Sequence, residues 1–291
     1  MLSWGVQSII KQPLSLAEHL RVLYPASSQN TIKKLLERDR VKVNGIITRL
    51  GKTRLHAGDC VEIGAKIFVK RLPDDLEILF EDEHLLVINK NANLLTIATE
   101  KEKEATAYAY LYDYVKAQKP ENKIFIVHRL DKKASGILVF ARSEAVKRKL
   151  QAQFETHDID RAYIAIVQGR VKDESGTVQN YLAENRAYKV YVTTDEKRGK
   201  LAITHYRVCK RVAGYTWLEI KTQTGRKHQI RVHLAGLGHP IIGDKEYGST
   251  KNPLQRLGLH ASRLGFVHPA TGKKMTFEVD APPAFRKMFA R

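Results

Sequence analysis

The sequence predicts an α+β protein of two folding units, and three observations lead there. The chain has 291 residues, more than one small core needs, since units of about 100–200 residues are the rule. Beyond residue 76, β-rich runs such as "LLVINK", "GILVFAR", "AYIAIVQG" and "YTWLEIKTQ" alternate with helical ones such as "ATAYAYLYDYVKAQ" and "SEAVKRKLQAQF". Between the units, "KRLPDDLEI" carries Pro73 and two aspartates where composition turns from basic to mixed, which reads as a linker. The expected units are 13–72, a small α/β domain, and 76–291, an α+β catalytic domain.

In the first unit, "SLAEHLRVLY" places Ser15 and Glu18 at capping-box spacing and repeats Leu16, Leu20 and Leu23 on one face, so a short amphipathic helix is expected. "NTIKKLLERDR" follows with Ile32, Leu35 and Leu36 as a buried stripe and Lys33, Lys34, Arg38 and Arg40 outward. "VKVNGII" alternates about Asn44-Gly45, a hairpin signal, and "AGDCVEIGAKIFVK" supplies more β-rich sequence. In the second unit, Ser143 is an expected N-cap for a helix carrying Val146, Leu150 and Phe154 at four-residue intervals.

Charge narrows the partner. Lysine and arginine number 50 against 31 acidic residues, a formal +19, the electrostatic footprint of a polyanion binder. Residues 1–72 alone hold 13 Lys and Arg against 5 Asp and Glu, net +8. Nucleic acid is the leading polyanion. A membrane surface is the competitor, but no apolar stretch approaches the roughly 20 residues that span a bilayer, no membrane-surface amphipathic or lipidation signal is present, and "MLSWGVQSIIKQ" lacks signal-peptide organisation. A cytoplasmic, soluble protein with no membrane partner is expected. Cys60 and Cys209 stand far apart in unlike contexts, and the eleven histidines carry no Cys-x-x-Cys or His-Glu-x-x-His spacing, so no metal is expected.

Three polar clusters interrupt the apolar pattern of the second unit. In "HRLDKKASGILVFAR", Asp131 sits among Arg129, Lys132 and Lys133, at a turn expected between a strand ending near His128 and the strand "GILVFAR". An aspartate among cations is in most proteins a loop cap or surface ion pair. The same cations also keep a partly buried carboxylate ionised and available as nucleophile, base or metal ligand. In "RAYIAIVQG", Tyr163 lies in an alternating β pattern beside Arg161; such a tyrosine is usually core, unless a flat substrate stacks on it. In "TQTGRKHQIRVHLAGLGHPIIGDKEYG" the run "HQIRVHL" alternates, so a strand is expected with His228, Ile230 and Val232 on one face and Gln229, Arg231 and His233 on the other. Polar residues beside so much glycine suggest a walled site.

These segments, with "AITHYRV" and "LHASRLGFVHP", together resemble the RluA-type pseudouridine synthases, in the same order and over nearly all of 76–291. "TIKKLLERDRVKVNG" with "LHAGDCVEI" resembles the S4-like RNA-binding domain over roughly 13–70. The resemblance implies a catalytic domain with a central mixed, largely antiparallel sheet flanked by helices and loops, and an enzyme that isomerises uridine in RNA without redox or metal chemistry, hence without a cofactor. It implies Asp131 as nucleophile, Tyr163 stacking on the uracil and assisting proton removal, and Arg231 pairing with Asp131. Arg129 matches the arginine that helps extrude the target nucleotide, which costs a few kcal/mol. His128, Lys132, Lys133, Gln229 and Ile230 are further substrate-binding candidates, the two lysines toward phosphates. In the first unit Lys33, Lys34, Arg38 and Lys42 inherit phosphate contacts, which position without reading sequence.

Two departures from the family pattern bear on activity. Where the family has Lys-Pro-x-Gly, this chain keeps Lys90 but has Asn91 and Asn93, and where the nucleophile loop usually has Thr it has Ala134. Asparagine tolerates unusual backbone angles, so the turn is expected to survive, while Ala134 removes one hydroxyl from the loop. An active synthase is therefore expected, acting on large-subunit ribosomal RNA, with transfer RNA as an alternative substrate and a catalytically impaired RNA-binding or ribosome-assembly factor as the competing class. With no heptad or exposed apolar stripe, a monomer without an obligate protein partner is expected.

Overall fold

A computed structural model describes residues 5–64, 72–99, 102, 105–156 and 158–290. The chain divides into two compact units, one of residues 1–71 with 113–122 and the other of 72–112 with 123–291.

The first unit contains β1 (Val6–Ile9), β2 (Leu14–Ser15), α1 (Leu16–Leu23), α2 (Gln29–Glu37), β3 (Val41–Val43), β4 (Ile46–Ile47), β5 (Arg54–Leu55) and β6 (Cys60–Ile63). α1 starts where the capping box requires. The Glu18 N–H donates to Ser15 Oγ, and Glu18 Oε2 accepts the Ser15 N–H at 2.7 Å, satisfying donors that the first helical turn leaves unpaired. Leu16 and Leu20 of α1 and Ile32, Leu35 and Leu36 of α2 are buried with Val41, Leu55, Val61 and Ile63. The β3–β4 hairpin turns on Asn44 and Gly45 at φ of 50° and 79°, the left-handed pair a two-residue hairpin needs. The sheet runs β1-β6-β3-β4. Its first strand, β1, lies ahead of residue 13. The β-rich reading of residues 65–70 lies outside the described residues.

The second unit holds β7 (Leu76–Glu81), β8 (Leu85–Lys90), the first half of α3 (Ala107–Gln118), whose residues from 113 onward fall to the first unit, β9 (Phe125–Ile126), β10 (Ser135–Ala141), α4 (Glu144–Glu155), β11 (Asp160–Gln168), β12 (Ser175–Glu184), β13 (Val190–Thr193), β14 (Lys200–Val212), β15 (Tyr215–Thr222), α5 (Gln229–Gly236), β16 (Leu259–Val267), β17 (Lys274–Glu278) and α6 (Pro283–Met288). An eleven-stranded sheet runs β13-β12-β14-β15-β11-β16-β10-β8-β7, with β17 on β16 and β9 on β10. Among the described strands β10 with β16 is parallel and every other pairing antiparallel, the mixed, largely antiparallel sheet the sequence implied. Every residue of β10 is buried, which explains its unbroken apolar run. Gly136 lies at φ 117°, and a Cβ there would stand 2.1 Å from the Ala261 carbonyl oxygen; only glycine lets β10 close on β16.

Three histidines in this unit, His233 and His260 buried and His128 half-buried, make acid lability an expected property. Burial, with Arg161 nearby, pushes His128 down to about 3, and burial pushes His233 and His260 down to about 4. All three are neutral in the folded chain at neutral pH, whereas unfolded histidine protonates near 6.5. The unfolded state therefore takes up protons first as pH falls, and each group contributes stability that is complete above 6.5 and lost toward pH 4, at about 1.4 kcal/mol per pH unit. Neither ring nitrogen of His233 meets a hydrogen-bond partner among the described residues, so His233→Leu sacrifices no such bond. Urea midpoints measured from pH 7 to 4.5 should show a shallower pH slope for His233→Leu than for wild type. Parallel slopes would refute the assignment.

Candidate active site

The sheet brings the polar clusters together. Gly136 of β10 pairs with Ala261 of β16, and Ala261 pairs with Tyr163 of β11, so the loop entering β10 reaches the sheet level with Tyr163, part-way along β11. The β11–β16 register shifts between Ala162 and Tyr163, an irregularity of the kind that re-aims a side chain. Asp131 and Tyr163 both line one cavity, with Arg129, Arg161, Ile230 and Arg231 also in its wall. A wider cleft of about 660 Å³ shares Asp131 and Tyr163 and adds His128, Phe154 and Lys227.

The wall bearing Arg231 corrects the sequence reading. "HQIRVHL" is not a strand: Gln229–Gly236 is helical, and His228 precedes it at φ 54°. Gln229, Ile230, Arg231, Val232, His233 and Leu234 are all buried, and a helix enclosed on every side loses the one-sided apolar stripe that identifies helices in sequence. The expected division of these residues between two strand faces falls with it. Gln229 also lines the cavity, with its side chain bonded inside the protein. Its Oε1 accepts from the Thr224 hydroxyl at 2.8 Å and the Arg226 N–H at 3.0 Å, while Nε2 donates to Ile203 O and Thr204 Oγ1, both at 2.9 Å. With these four bonds inside the protein it braces the turn into α5 and offers no free polar group to a substrate.

Arg231 is the hub of the site. Its Nε donates to Asp244 Oδ2 at 2.6 Å and its Nη2 to Asp244 Oδ1 at 2.8 Å and to Glu246 Oε2 at 2.7 Å, while Nη1 reaches Asp131 Oδ2 at 3.3 Å. The guanidinium also lies 4.7 Å from the centre of the Tyr247 ring. Burial works against the charge on Arg231, but Asp244, Asp131 and Glu246 raise its pKa overall. It therefore holds a fixed positive charge on one edge of Asp131. On the other edge His228 Nε2 stands 3.8 Å from Asp131 Oδ1, with its Nδ1 2.8 Å from the Tyr247 hydroxyl. Burial lowers the pKa of His228 despite Asp131, so the lasting partner of the carboxylate is the arginine. Burial raises the pKa of the Tyr163 hydroxyl, opposed by Arg161 and reinforced by Asp131; Tyr163 faces the cavity as a phenol.

The loop carrying Asp131 is held from beneath. Lys90, fully buried at the end of β8, donates from Nζ to Ala134 O at 2.7 Å, Leu94 O at 2.8 Å and Asn91 O at 2.9 Å. Burial and the nearby Arg256 lower its pKa to about 7. Thr96 Oγ1 donates to Leu130 O at 2.9 Å and accepts the Leu130 N–H at 3.2 Å, so a hydroxyl from a neighbouring loop does the bracing that Ala134 cannot. Asn93 adopts φ 71° and donates its N–H to Lys132 O at 2.8 Å; the left-handed turn survives without glycine.

The other sequence candidates fall in three places. Arg129 is exposed at the rim of both cavities. Lys132 and Lys133 are exposed on the same loop but line neither. His128 lines the wider cleft, and its Nε2 accepts the Val139 N–H at 3.2 Å while its ring packs 4.7 Å from that of Phe154. Ile230 lines the smaller cavity and belongs to the apolar core. In the first unit Lys33, Lys34 and Arg38 are exposed along and just after α2, with Lys33 Nζ 3.7 Å from Glu37, and Lys42 is half-buried on β3. Sequence reasoning missed Asp244, Glu246, Tyr247, Thr96 and the bracing role of Lys90. Two acids in "GDKEYG" downstream of a lone helical arginine, and a lysine ending the apolar run "LLVINK", were the available signals.

Comparison with known proteins bears on this arrangement. The family model for RNA pseudouridylate synthase matches residues 84–236, a span containing Asp131, Tyr163 and Arg231. The ribosomal large subunit pseudouridine synthase D of Zymomonas mobilis is 35% identical, with the alignment covering 90% of this chain and 88% of that protein. An uncharacterized RNA pseudouridine synthase of Synechocystis is 33% identical over 94% of this chain and 86% of its own. Among solved structures, human RNA pseudouridylate synthase domain containing 4 superposes with a TM-score of 0.61 at 25% identity, covering 72% of this chain and 90% of that one. The chain is a member of the RNA pseudouridylate synthase family.

Proposed function

We propose that the chain isomerises specific uridines to pseudouridine in large-subunit ribosomal RNA, with Asp131 as the nucleophile. The observation that carries this reading is the juxtaposition of Asp131 and Tyr163 in one cavity, with the charge on Asp131 matched by a buried, multiply anchored Arg231. The isomerisation breaks the bond from N1 to the sugar, forms one from C5, removes a proton from C5 and adds one at N1. Those steps need a carboxylate placed to attack, a wall for the detached ring and a closed pocket. Arg231 orients Asp131, Tyr163 stacks on the uracil and supplies a phenol that can relay the proton, and Arg129 at the rim fills the gap left by the extruded nucleotide.

Lys132 and Lys133 beside the cavity, and Lys33, Lys34, Arg38 and Lys42 in the first unit, contact phosphates. The choice of RNA follows relatives named as ribosomal large subunit enzymes in several bacteria, and the chain is assigned to the cytoplasm as a monomer. Among the described residues no helix is long and apolar enough to cross a membrane. The impaired-binder reading rested on Ala134 and Asn93, and both positions are compensated, by Thr96 and Lys90 and by the left-handed turn. The test is a transcriptome-wide pseudouridine map from cells with and without the gene. Loss of one or a few large-subunit sites, restored by wild type and not by Asp131→Ala, is expected. Loss confined to transfer RNA overturns the choice of substrate, and an unchanged map overturns the activity.

A further inference from the structure

The turn between β12 and β13 presents a feature the reaction described above does not use. Tyr188 is 74% exposed, and its backbone sits at φ 60°, a conformation a bulky residue adopts only where surrounding bonds impose it. Those bonds are present. Asn185 Oδ1 accepts the N–H groups of Ala187 and Lys189, both at 3.0 Å, and the Tyr188 N–H donates to Asn185 O at 2.9 Å. Lys227 Nζ donates to Tyr188 O at 2.8 Å and lies 5.5 Å from the centre of the Tyr188 ring. An aromatic ring is thus held out from a braced turn with a cation against it.

The same turn is joined to the catalytic wall. Lys227 lines the cleft that contains Asp131, and it immediately precedes His228. The N–H of Val190, first residue of β13, donates to the Tyr247 hydroxyl at 3.3 Å, and Tyr247 lies against Arg231. Arg186 and Lys189 are exposed on either side of Tyr188. Lys227 is itself paired with Glu184, so an exposed ring flanked by Arg186 and Lys189 at the margin of a cleft has the composition of a single-stranded nucleic-acid platform: the ring stacks on a base of any identity, and these two cations take the phosphates on either side.

We propose that Tyr188 stacks on a nucleobase flanking the target uridine, holding the RNA strand at the cleft margin while the target nucleotide is inside. This rests on the RNA substrate of the proposed function, and adds a specific contact to it. Because that contact is the same before and during the chemical step, it acts on binding rather than on turnover.

The experiment compares wild type, Tyr188→Ala and Tyr188→Phe on in vitro transcribed, unmodified large-subunit ribosomal RNA, measuring Kd by filter binding and KM and kcat by pseudouridine formation. Tyr188→Ala is expected to raise Kd and KM together by about 5- to 150-fold, the range for losing one base–aromatic stack, with a much smaller change in kcat. Tyr188→Phe, which keeps the ring, is expected to restore wild-type Kd, and unchanged urea midpoints confirm that the turn is intact. If Tyr188→Ala binds as wild type does, or if Tyr188→Phe is as weak as Tyr188→Ala, the stacking proposal is overturned while the activity stands. If wild type binds the RNA without isomerising it, the proposed activity fails, and the Kd ratio of Tyr188→Ala to wild type still decides the stacking. If wild type does not bind this RNA, the stacking proposal falls as well.

Discussion

Replacing Asp131 by alanine is expected to lower pseudouridine formation by at least about 10⁴-fold, the scale on which loss of a nucleophile acts, while leaving RNA affinity and fold nearly intact. The stability part follows from geometry. Asp131 contributes one contact to Arg231, at 3.3 Å, whereas Asp244 holds the same guanidinium through two at 2.6 and 2.8 Å and Glu246 adds a third at 2.7 Å. Removing Asp131 leaves Arg231 paired, and because the Asp131 side chain is 28% exposed, the loss of stability should stay near 1 kcal/mol or below. Affinity should hold because a negative charge is being taken away from a surface that meets phosphates. Asp131→Asn separates charge from shape: it fills the same volume and should be nearly as inactive as alanine. The measurements are single-turnover isomerisation, filter-binding Kd and urea midpoint for the three proteins. Turnover above about 1% of wild type in Asp131→Ala would remove Asp131 as nucleophile, and a parallel loss of Kd would make it a structural residue.

What the sequence made legible was local. The capping box at Ser15 and Glu18, the hairpin at Asn44-Gly45 and the Ser143 N-cap of α4 all formed where the residues indicated, because each is specified within a few positions of chain. The turn ahead of β10 was legible for the same reason. α5 was not, since its alternating apolar residues look like a strand and its burial on every side erases the helical period. Nor were the partners of Arg231. Asp131 lies 100 residues before it, and the two meet because the strand neighbours β10, β16 and β11 set the position of the loop. Asp244 and Glu246 were in view as letters in "GDKEYG", but only the fold makes them ligands of an arginine. The resemblance to a known family supplied Asp131, Tyr163 and Arg231 as a set, and the structure adds why Arg231 stays in place and what holds the loop in the absence of a threonine at 134.

Arg231→Ala is expected to be the most destabilising single change in the site, by about 3–5 kcal/mol, because it leaves carboxylates behind in a place built for their counter-charge. Asp244 is the critical one. Its side chain is 2% exposed, and both its oxygens are taken by Arg231; without the guanidinium it must either bury an unpaired charge or take up a proton. Glu246, 41% exposed, can turn to solvent and adds less. The prediction separates from a general packing loss through a double-mutant cycle. Asp244→Asn alone should also cost stability, since it leaves Arg231 with Glu246 and Asp131 only, but the double variant Arg231→Ala with Asp244→Asn should be more stable than the sum of the two losses implies, by about 1–3 kcal/mol. Additive losses would mean that the pair contributes nothing beyond filling space. Arg231→Lys tests the geometry: an ammonium keeps the charge but cannot span Asp244 and Asp131 with a rigid fork, so it should recover part of the stability while Asp131 loses its fixed partner. Stability and turnover are then expected to part company in this variant, with the urea midpoint moving back toward wild type and isomerisation staying well below it, because stability requires only a positive charge beside Asp244 whereas the proposed nucleophile requires one carboxylate oxygen held in a single orientation.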